Sequence, residues 1–333
     1  MGEGRQPARR RSIVCALAGL IATALPLSAG AQDYPVRPVR VIVGFSPGGA
    51  PDLIARQIAE PLGAHFGQTF VVDNRAGANG VIGADIVSKA TADGHTLLVT
   101  SASFAISPSI YRKLPYDPIR DFAPVTNIAL GGGLILSVNA SSPIKSVKEL
   151  IAAARKPGAR LTYGSAGIGN SQHLTAALFN ARAGTQMSHV PYKGGGQAIA
   201  ALLGSEVNIL FASATSTMAY IKAGRLRPLA YNHSKRLDAL PDVPTMAEAG
   251  VSGTEIEGGS WYGVFAPPRT PRAIVVRLQQ EIAQAARQPA VRSRFATLGL
   301  EPDGRTPGEF KIFVERSIAR FRELVKLAGI EPQ

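Results

Sequence analysis

The feature that most constrains the fold is a unit in which a short β-branched strand runs into a glycine- and serine-rich loop and then into a helix. The first copy has a strand at Val39–Val43, a loop at 44–49 and apolar residues at helical spacing over 53–62. Two further copies follow, with strands at 69–73 and 96–100. Strands that alternate with helical patterns predict a parallel sheet with right-handed βαβ connections. The sequence therefore predicts an α/β fold.

The second half of the chain repeats this design. Strand, glycine loop and helix recur from 161 to 183, and shorter units of the same kind follow as far as residue 223. An extended stretch at 124–139, with glycines at 131–133, connects the two series, and a second such stretch at 257–265 precedes the C-terminal helices. We interpret both as hinge crossovers, with a buried bulge as the alternative for the first. The expected domains are residues 32–132 plus 256–333 and residues 133–255.

The N-terminus has the three parts of a secretory signal peptide. Arginines at positions 5 and 9–11 precede an apolar segment at 13–27, and small residues follow at 29–31. We expect residues 1–31 to be removed and the mature protein to be periplasmic, exported by either the general or the twin-arginine route. The only cysteine, Cys15, lies in this segment, so the mature chain would have no disulfide and no thiol nucleophile.

The composition argues against several functions. The formal charge of +13 could favour nucleic acid, but the basic residues are scattered, and we expect no nucleic-acid partner. The five histidines lack metal-ligand spacing, and the glycine loops give neither a G-x-G-x-x-G sequence nor a Walker lysine. We therefore expect no metal and no cofactor.

Residues 44–48 match the G-x-S-x-G nucleophile elbow of serine hydrolases. In that elbow the N–H of the residue after the serine helps to bind the oxyanion, but here that residue is Pro47, which has no N–H. Loss of one such donor costs roughly 10²–10³ in rate. We expect no enzymatic activity and keep a serine esterase using Ser46 as the alternative.

Two loops instead have the features of an anion site. Residues 46–52 and 165–171 each follow a strand and open a helix, where backbone N–H groups and the helix dipole favour an anion. They lie in different halves of the chain, so they can meet across an interdomain cleft. Ordinary βα turns are the alternative. We predict N–H donation from Gly48, Gly49, Gly167 and Gly169, hydroxyl contacts from Ser46, Ser101, Ser165 and Ser171, and an apolar wall from Phe45.

Several segments resemble one family. They are residues 45–52, 74–80, 93–98, 163–167, 240–245 and 261–267, and together they resemble the Bug family, the extracytoplasmic solute receptors of tripartite tricarboxylate transporters. The resemblance implies a two-domain Venus-flytrap fold, similar to type II periplasmic binding proteins, with two hinge crossovers. It also implies a small carboxylate ligand and delivery to a membrane permease. We expect a monomer, with a ligand sensor that does not transport as the alternative.

One departure from the family pattern concerns the strand at 207–212. Family members commonly carry an acidic residue there that can meet a ligand's amino group, whereas this chain has Asn208 and Ala212. We therefore predict that the receptor does not prefer an amino acid. The lone histidine at 173 is more often structural in such a place, but it adjoins the second loop. The predicted ligand-binding residues are Phe45, Ser46, Gly48, Gly49, Asp52, Asn79, Ser101, Ser165, Gly167, Gly169, Ser171, His173, Lys193 and Ala212.

Overall fold

Two β-sheets organise the described part of the chain in the computed structural model, which covers residues 1–4, 34–256, 260–297 and 299–332. The predicted signal peptide with Cys15 lies outside the described residues, apart from residues 1–4. So do residues 257–259 of the predicted second crossover. Among the described residues, no helix combines the length and the apolar composition needed to cross a membrane.

The strands and helices alternate over most of the described chain. The strands are β1 (Val39–Val43), β2 (Phe70–Asn74), β3 (Thr96–Ser101), β4 (Ala123–Gly131), β5 (Leu134–Asn139), β6 (Thr162–Ser165), β7 (Ser188–Pro191), β8 (Ile209–Ser213), β9 (Leu226–Tyr231), β10 (Ser260–Ala266) and β11 (Leu300–Pro302). The helices are α1 (Ala50–Phe66), α2 (Val81–Ser88), α3 (Ser103–Ile110), α4 (Val147–Ala154), α5 (Ser171–Ala183), α6 (Gly195–Leu203), α7 (Ala214–Lys222), α8 (Arg272–Arg287), α9 (Pro289–Thr297) and α10 (Pro307–Leu327).

The first sheet has the strand order β11-β4-β10-β3-β1-β2. Strand β1 pairs in parallel with both β2 and β3, which confirms the predicted βαβ arrangement. Both faces of β1 are buried, because Val41 belongs to a core cluster with residues of α1 and α8, whereas Ile42 belongs to one with residues of α2, α3 and α10. A strand buried on both faces explains the continuous β-branched sequence at this point.

The second sheet has the strand order β7-β6-β8-β5-β9. Strand β6 is parallel to β7 and β8, and β5 is antiparallel to β8 and β9. Helix α5 lies beside this sheet, yet Leu174 and Leu178 pack in the same apolar cluster as Ile110 of α3. The groups of elements built on the two sheets, which we call the lobes, therefore share an apolar contact.

The predicted glycine crossover connects the two sheets. Strand β4 ends at Gly131 in the first sheet, and β5 begins at Leu134 in the second. The Gly133 N–H donates to the hydroxyl of Tyr231 at 2.8 Å, and a Cβ on Gly132 would clash with that oxygen. Glycine is needed here for close approach, and the alternative of a buried bulge is excluded. The limits 32–132 plus 256–333 and 133–255 stay a prediction.

The segment from Tyr111 to Phe122 is more deeply placed than the sequence suggested. Its two prolines and Asp117 favour a connection on the surface, but Tyr116 and Phe122 are buried and pack against Phe104 of α3. The sequence pattern gave no clear signal for α3, which includes Pro108. Aromatic burial against the first sheet stabilises this segment despite its prolines and aspartates.

Candidate functional site

A small cavity of about 50 Å³ lies where the carboxyl ends of strands from both sheets meet. We call it the inner chamber. Phe45, Gly49, Ser101 and Ser171, all of them predicted ligand residues, line it. The carboxyl ends of parallel strands are where α/β sheets place their ligands, so this position agrees with the general rule.

Helices α1, α3, α5, α6 and α7 all begin at the inner chamber. Their first residues include Ala50, Ser103, Ser171 and Gly195, and Ser216 represents the first turn of α7. The first N–H groups of a helix have no partner within the helix, and the dipole gives this end a partial positive charge. Among the described residues, the chamber lining carries no charged side chain. The site can therefore attract an anion without a cationic side chain.

Hydroxyl groups complete the chamber wall. The buried Tyr262 of β10 hydrogen-bonds with Ser213 of β8, so this contact joins the two sheets. Burial raises the pKa of Tyr262 to about 12, which keeps the phenol neutral at physiological pH. The Oγ atoms of Ser213 and Ser216 lie 3.1 Å apart. These hydroxyls can donate to a carboxylate.

The loop after β1 fits closely against the glycines that open α6. A Cβ on Gly194 would clash with the Ser46 hydroxyl oxygen, and a Cβ on Gly196 would clash with the Pro47 carbonyl oxygen. We call the loop after β1, residues 44–49, the opening loop. It therefore faces the loop at 194–196 as well as the predicted loop at 165–171. The two lobes touch at this point.

Asp52, in the first turn of α1, holds the opening loop by hydrogen bonds. Its carboxylate accepts hydrogen bonds from the Gly48 N–H at 2.9 Å and from the Asn74 side chain at 3.0 Å, and it forms an ion pair with Arg56. Burial alone would raise the pKa of Asp52, but the hydrogen bonds from Arg56, Gly48 and Asn74 outweigh it and lower the pKa. Asp52 does not line the chamber, and the predicted donor Gly48 is committed to it.

Ser46 does not have the surroundings of a nucleophile. Its side chain is buried, and its hydroxyl has no hydrogen-bond partner among the described residues. No base therefore stands within hydrogen-bond distance, and Pro47 removes the oxyanion donor. The Gly49 N–H points back to the Ser46 carbonyl at 3.4 Å.

The second predicted loop is held together by its own polar groups. The Ser165 hydroxyl donates to the Gly167 carbonyl at 2.9 Å, and Nε2 of His189 lies 2.6 Å from Ser165 Oγ. The Gly167 N–H donates to Ser165 Oγ at 3.2 Å, and the Gly169 N–H donates to Nδ1 of His173 at 2.9 Å. The predicted donors Ser165, Gly167 and Gly169 thus shape the loop and lie outside the chamber lining.

His173 has a structural environment. Its ring stacks on that of His189 with centroids 3.9 Å apart. The ring of Tyr163 stacks in turn on His189, with centroids 5.0 Å apart. Burial lowers the pKa of His173 to about 4, and burial together with the neighbouring His173 lowers that of His189 to about 3. Both rings are therefore neutral at physiological pH, and they support the loop at 165–169.

The remaining predicted residues lie elsewhere. Asn79, Gly167 and Lys193 line a second cavity of about 540 Å³, which we call the outer groove. Ala212 is fully buried in β8 and lines neither cavity. Asn208 accepts a hydrogen bond from Thr162 at the amino end of β6, away from the carboxyl ends that form the chamber.

Sequence reasoning missed several chamber residues. Ser213 and Ser216 follow β8 in the same way that Ser101 ends β3, so the rule of strand carboxyl ends could have found them. Tyr262 had no such signal, because its place depends on β10 returning to the first sheet. Four lining residues lie in the two predicted loops without having been named singly, namely Ala50, Pro51, Ala166 and Asn170. The residues missed altogether are Ser103, Leu134, Gln172, Gly195, Ser213, Ser216 and Tyr262.

Comparisons with known proteins agree with this architecture. The sequence model of the Tripartite tricarboxylate transporter family receptor matches residues 54–330. Protein BugT of Bordetella pertussis is 37% identical, with 95% of each chain covered. The structure of Rhodopseudomonas palustris Rpa4515 with adipate is 38% identical with a TM-score of 0.85, covering 90% of this chain and 100% of that one. MatC from the same organism, with bound malate, is 31% identical with a TM-score of 0.82, covering 88% and 100%.

The family match begins at residue 54, after the loop that follows β1, whereas the BugT alignment spans 319 residues and therefore includes both sheets and the loops that form the inner chamber. The chain therefore belongs to the Bug family of tripartite tricarboxylate transporter receptors, which are periplasmic solute-binding proteins and not enzymes.

Proposed function

We propose that this receptor captures a small carboxylate without an amino group in the inner chamber and delivers it to the permease of a tripartite tricarboxylate transporter. The observation that carries the proposal is the convergence of helix N-termini and hydroxyls on a chamber whose described lining has no charged side chain. Such a site stabilises negative charge and offers no carboxylate to pair with an ammonium group.

Asp52 directly follows Pro51 of the chamber lining, but its carboxylate oxygens are occupied. They accept from Gly48, Asn74 and Arg56, so they are not free to pair with a ligand's ammonium group. Two of the compared structures contain adipate and malate, which are carboxylates without an amino group. These facts support organic acids over amino acids for this chain.

The cellular setting is part of the proposal. Residues 1–31 act as a signal peptide, and the mature receptor works in the periplasm as a monomer. Its family describes a receptor of a transporter, which supports a membrane permease as the partner. A permease would recognise the closed, loaded form of the two lobes.

Calorimetry and thermal unfolding of the mature protein test the ligand class with adipate, malate and glutamate. We expect adipate or malate to bind and to raise the melting temperature, since ligand at 100 times its Kd adds about 2.7 kcal/mol of stability. Tighter binding of glutamate than of both other acids would contradict the proposal.

A charge placed in the chamber tests the site itself. Ser171→Asp adds a carboxylate at the first residue of α5, where it suits the helix dipole but repels a bound anion. Ser146→Asp makes the same change at the N-cap of α4, outside the chamber lining. We expect the first variant to lose binding and the second to retain it. Equal binding by both would argue against the inner chamber.

Uptake of the bound acid by cells tests whether the receptor works with a membrane permease. We expect cells that lack the receptor to take up the bound acid more slowly, and cells that carry Ser171→Asp to behave in the same way. Unchanged uptake, together with a lost transcriptional response to the acid, would indicate a sensor.

A further inference from the structure

The outer groove is a second concave site between the two lobes. It lies on the other side of the loop at 165–170, because Ala166 lines the inner chamber whereas Gly167 and Ile168 line the groove. Asn79 and Tyr111 contribute from the lobe of the first sheet, and Tyr192 and Lys193 from the other. Its volume of about 540 Å³ lies in the range of small-molecule sites.

A buried amide in the groove wall has no partner. Asn79 is only 5% exposed, and neither its side-chain nitrogen nor its oxygen is hydrogen-bonded within the described protein. The backbone holds it there in the left-handed region, between Ala78 and Gly80, which both have positive φ. A buried amide without partners is costly, and such groups in folded proteins call for an explanation. Its place in the groove points to a polar ligand.

The groove also carries a positive charge. Lys193 is the only charged residue among the described residues that line it, and no acidic side chain of the described chain forms an ion pair with this lysine. The backbone N–H of Lys193 donates to the side-chain oxygen of Gln197 at 3.1 Å, which fixes the start of the loop before α6. The ammonium group is therefore free to pair with an anion.

The rest of the wall is apolar or aromatic. Tyr111 and Tyr192 contribute rings, and Ile168 and Pro191 contribute aliphatic surface. Burial, the nearby charge of Glu206 and a hydrogen bond to that carboxylate all raise the pKa of Tyr192, so this phenol stays neutral. A flat apolar body therefore fits beside the charge of Lys193.

From these features we propose that the outer groove is a second binding site, for an organic acid whose carboxylate pairs with Lys193 and whose body is aromatic. The side-chain N–H of Asn79 donates to the same carboxylate. Because the wall comes from both lobes, an occupant of the groove favours the closed arrangement and is expected to tighten binding in the inner chamber. The inference goes beyond the proposed function, which concerns the inner chamber alone.

Calorimetry with benzoate tests the groove in the mature full-length chain. We expect benzoate to bind Ser171→Asp as it binds the parent protein, because the groove lies apart from the altered chamber. Lys193→Met should weaken benzoate binding by about tenfold or more, as expected for loss of a charge-assisted contact, whereas Lys193→Arg should retain it. Lys148→Met, an exposed lysine on α4, makes the same change in net charge and should have no effect.

A substitution of Asn79 tests benzoate binding independently of Lys193. Asn79→Gly keeps the left-handed backbone without strain but removes the amide, and we expect it to weaken benzoate binding while adipate or malate still binds the chamber. Benzoate binding that is lost in Ser171→Asp and unchanged in Lys193→Met would overturn the second site and leave the inner chamber intact. Failure of benzoate to bind the parent protein at millimolar concentration would also overturn it. Failure of adipate and malate alone would contradict only the proposed function.

Discussion

The Oγ of Ser165 lies 2.6 Å from Nε2 of His189, and this partly buried contact fixes the loop that separates the inner chamber from the outer groove. The same hydroxyl donates to the Gly167 carbonyl, so one side chain connects β6, β7 and the loop. The loop is therefore shaped before any ligand arrives.

Removal of this hydroxyl should affect both stability and binding. Ser165→Ala leaves Nε2 of His189 without its partner, and we expect the free energy of unfolding to fall by about 1–3 kcal/mol. The loop should also lose order, so the affinity of the chamber should decrease. Urea unfolding and calorimetry measure the two effects. A variant as stable as the parent would show that the contact does not fix the loop.

The two stacked histidines predict how stability depends on pH. Their folded pKa values, about 4 for His173 and about 3 for His189, are below the ordinary value of 6.5. Below about pH 6.5 the histidines of the unfolded chain bind protons that those of the folded chain do not. The free energy of unfolding therefore decreases as the pH is lowered, by at most about 1.4 kcal/mol per pH unit for each histidine. Urea unfolding at several pH values between 7 and 4 measures this slope.

The double variant His173→Gln, His189→Gln serves as the control for that measurement. It lacks both titrating rings, so the slope between pH 6.5 and 4 should become smaller. An unchanged slope would assign the pH dependence to other groups.

Asp52 should stabilise the opening loop. The Gly48 N–H donates to Oδ2 of Asp52 and the Asn74 side chain donates to Oδ1, so Asp52→Asn leaves one of these two donors without an acceptor, and we expect a loss of about 1–3 kcal/mol and weaker ligand binding. Because the folded pKa is lowered, this stabilisation is present above the ordinary pKa of 3.8 and is lost as the pH falls through the folded pKa. Asp238→Asn, at an exposed position, should change neither property. Equal losses in both variants would contradict this role.

Closure of the lobes should depend on the glycine at 194. Gly194→Ala places a methyl group against the Ser46 hydroxyl, and overpacking of about 1–3 kcal/mol would weaken ligand binding roughly 5–150-fold. Gly308→Ala, whose Cβ would meet nothing within 4 Å, is the matched control. Calorimetry measures the affinity, and small-angle scattering measures whether the protein with ligand stays more extended. Parent-like affinity in Gly194→Ala would mean that the lobes do not need this contact.

Much of the fold could be predicted from the sequence. The β-branched strand at Val39–Val43 and its repeats predicted the parallel sheet, and the glycines at 131–133 predicted the crossover. These features are local, so a single segment carries the information. The burial of Tyr116 and Phe122 could not be predicted from their own segment, because it comes from packing against Phe104, which lies outside that segment.

The site was predicted less completely. The glycine amides of 48 and 169 were expected to face a ligand, but each donates to a side chain four residues later, Asp52 and His173, in the first turn of a helix. This resembles a capping box, and the pattern was present in the sequence. The contact between Ser213 and Tyr262 could not be predicted, because it joins residues of different sheets.

Because the described lining of the chamber carries no charged side chain, the association rate and the dissociation rate of the ligand should depend on different parts of the protein. The basic surface of the chain attracts anions over a distance that dissolved salt shortens, so raised ionic strength should slow association. The helix ends and hydroxyls inside act at contact distance and away from salt, so the dissociation rate should change little. The receptor would then hold its ligand for the same time in dilute and in concentrated surroundings.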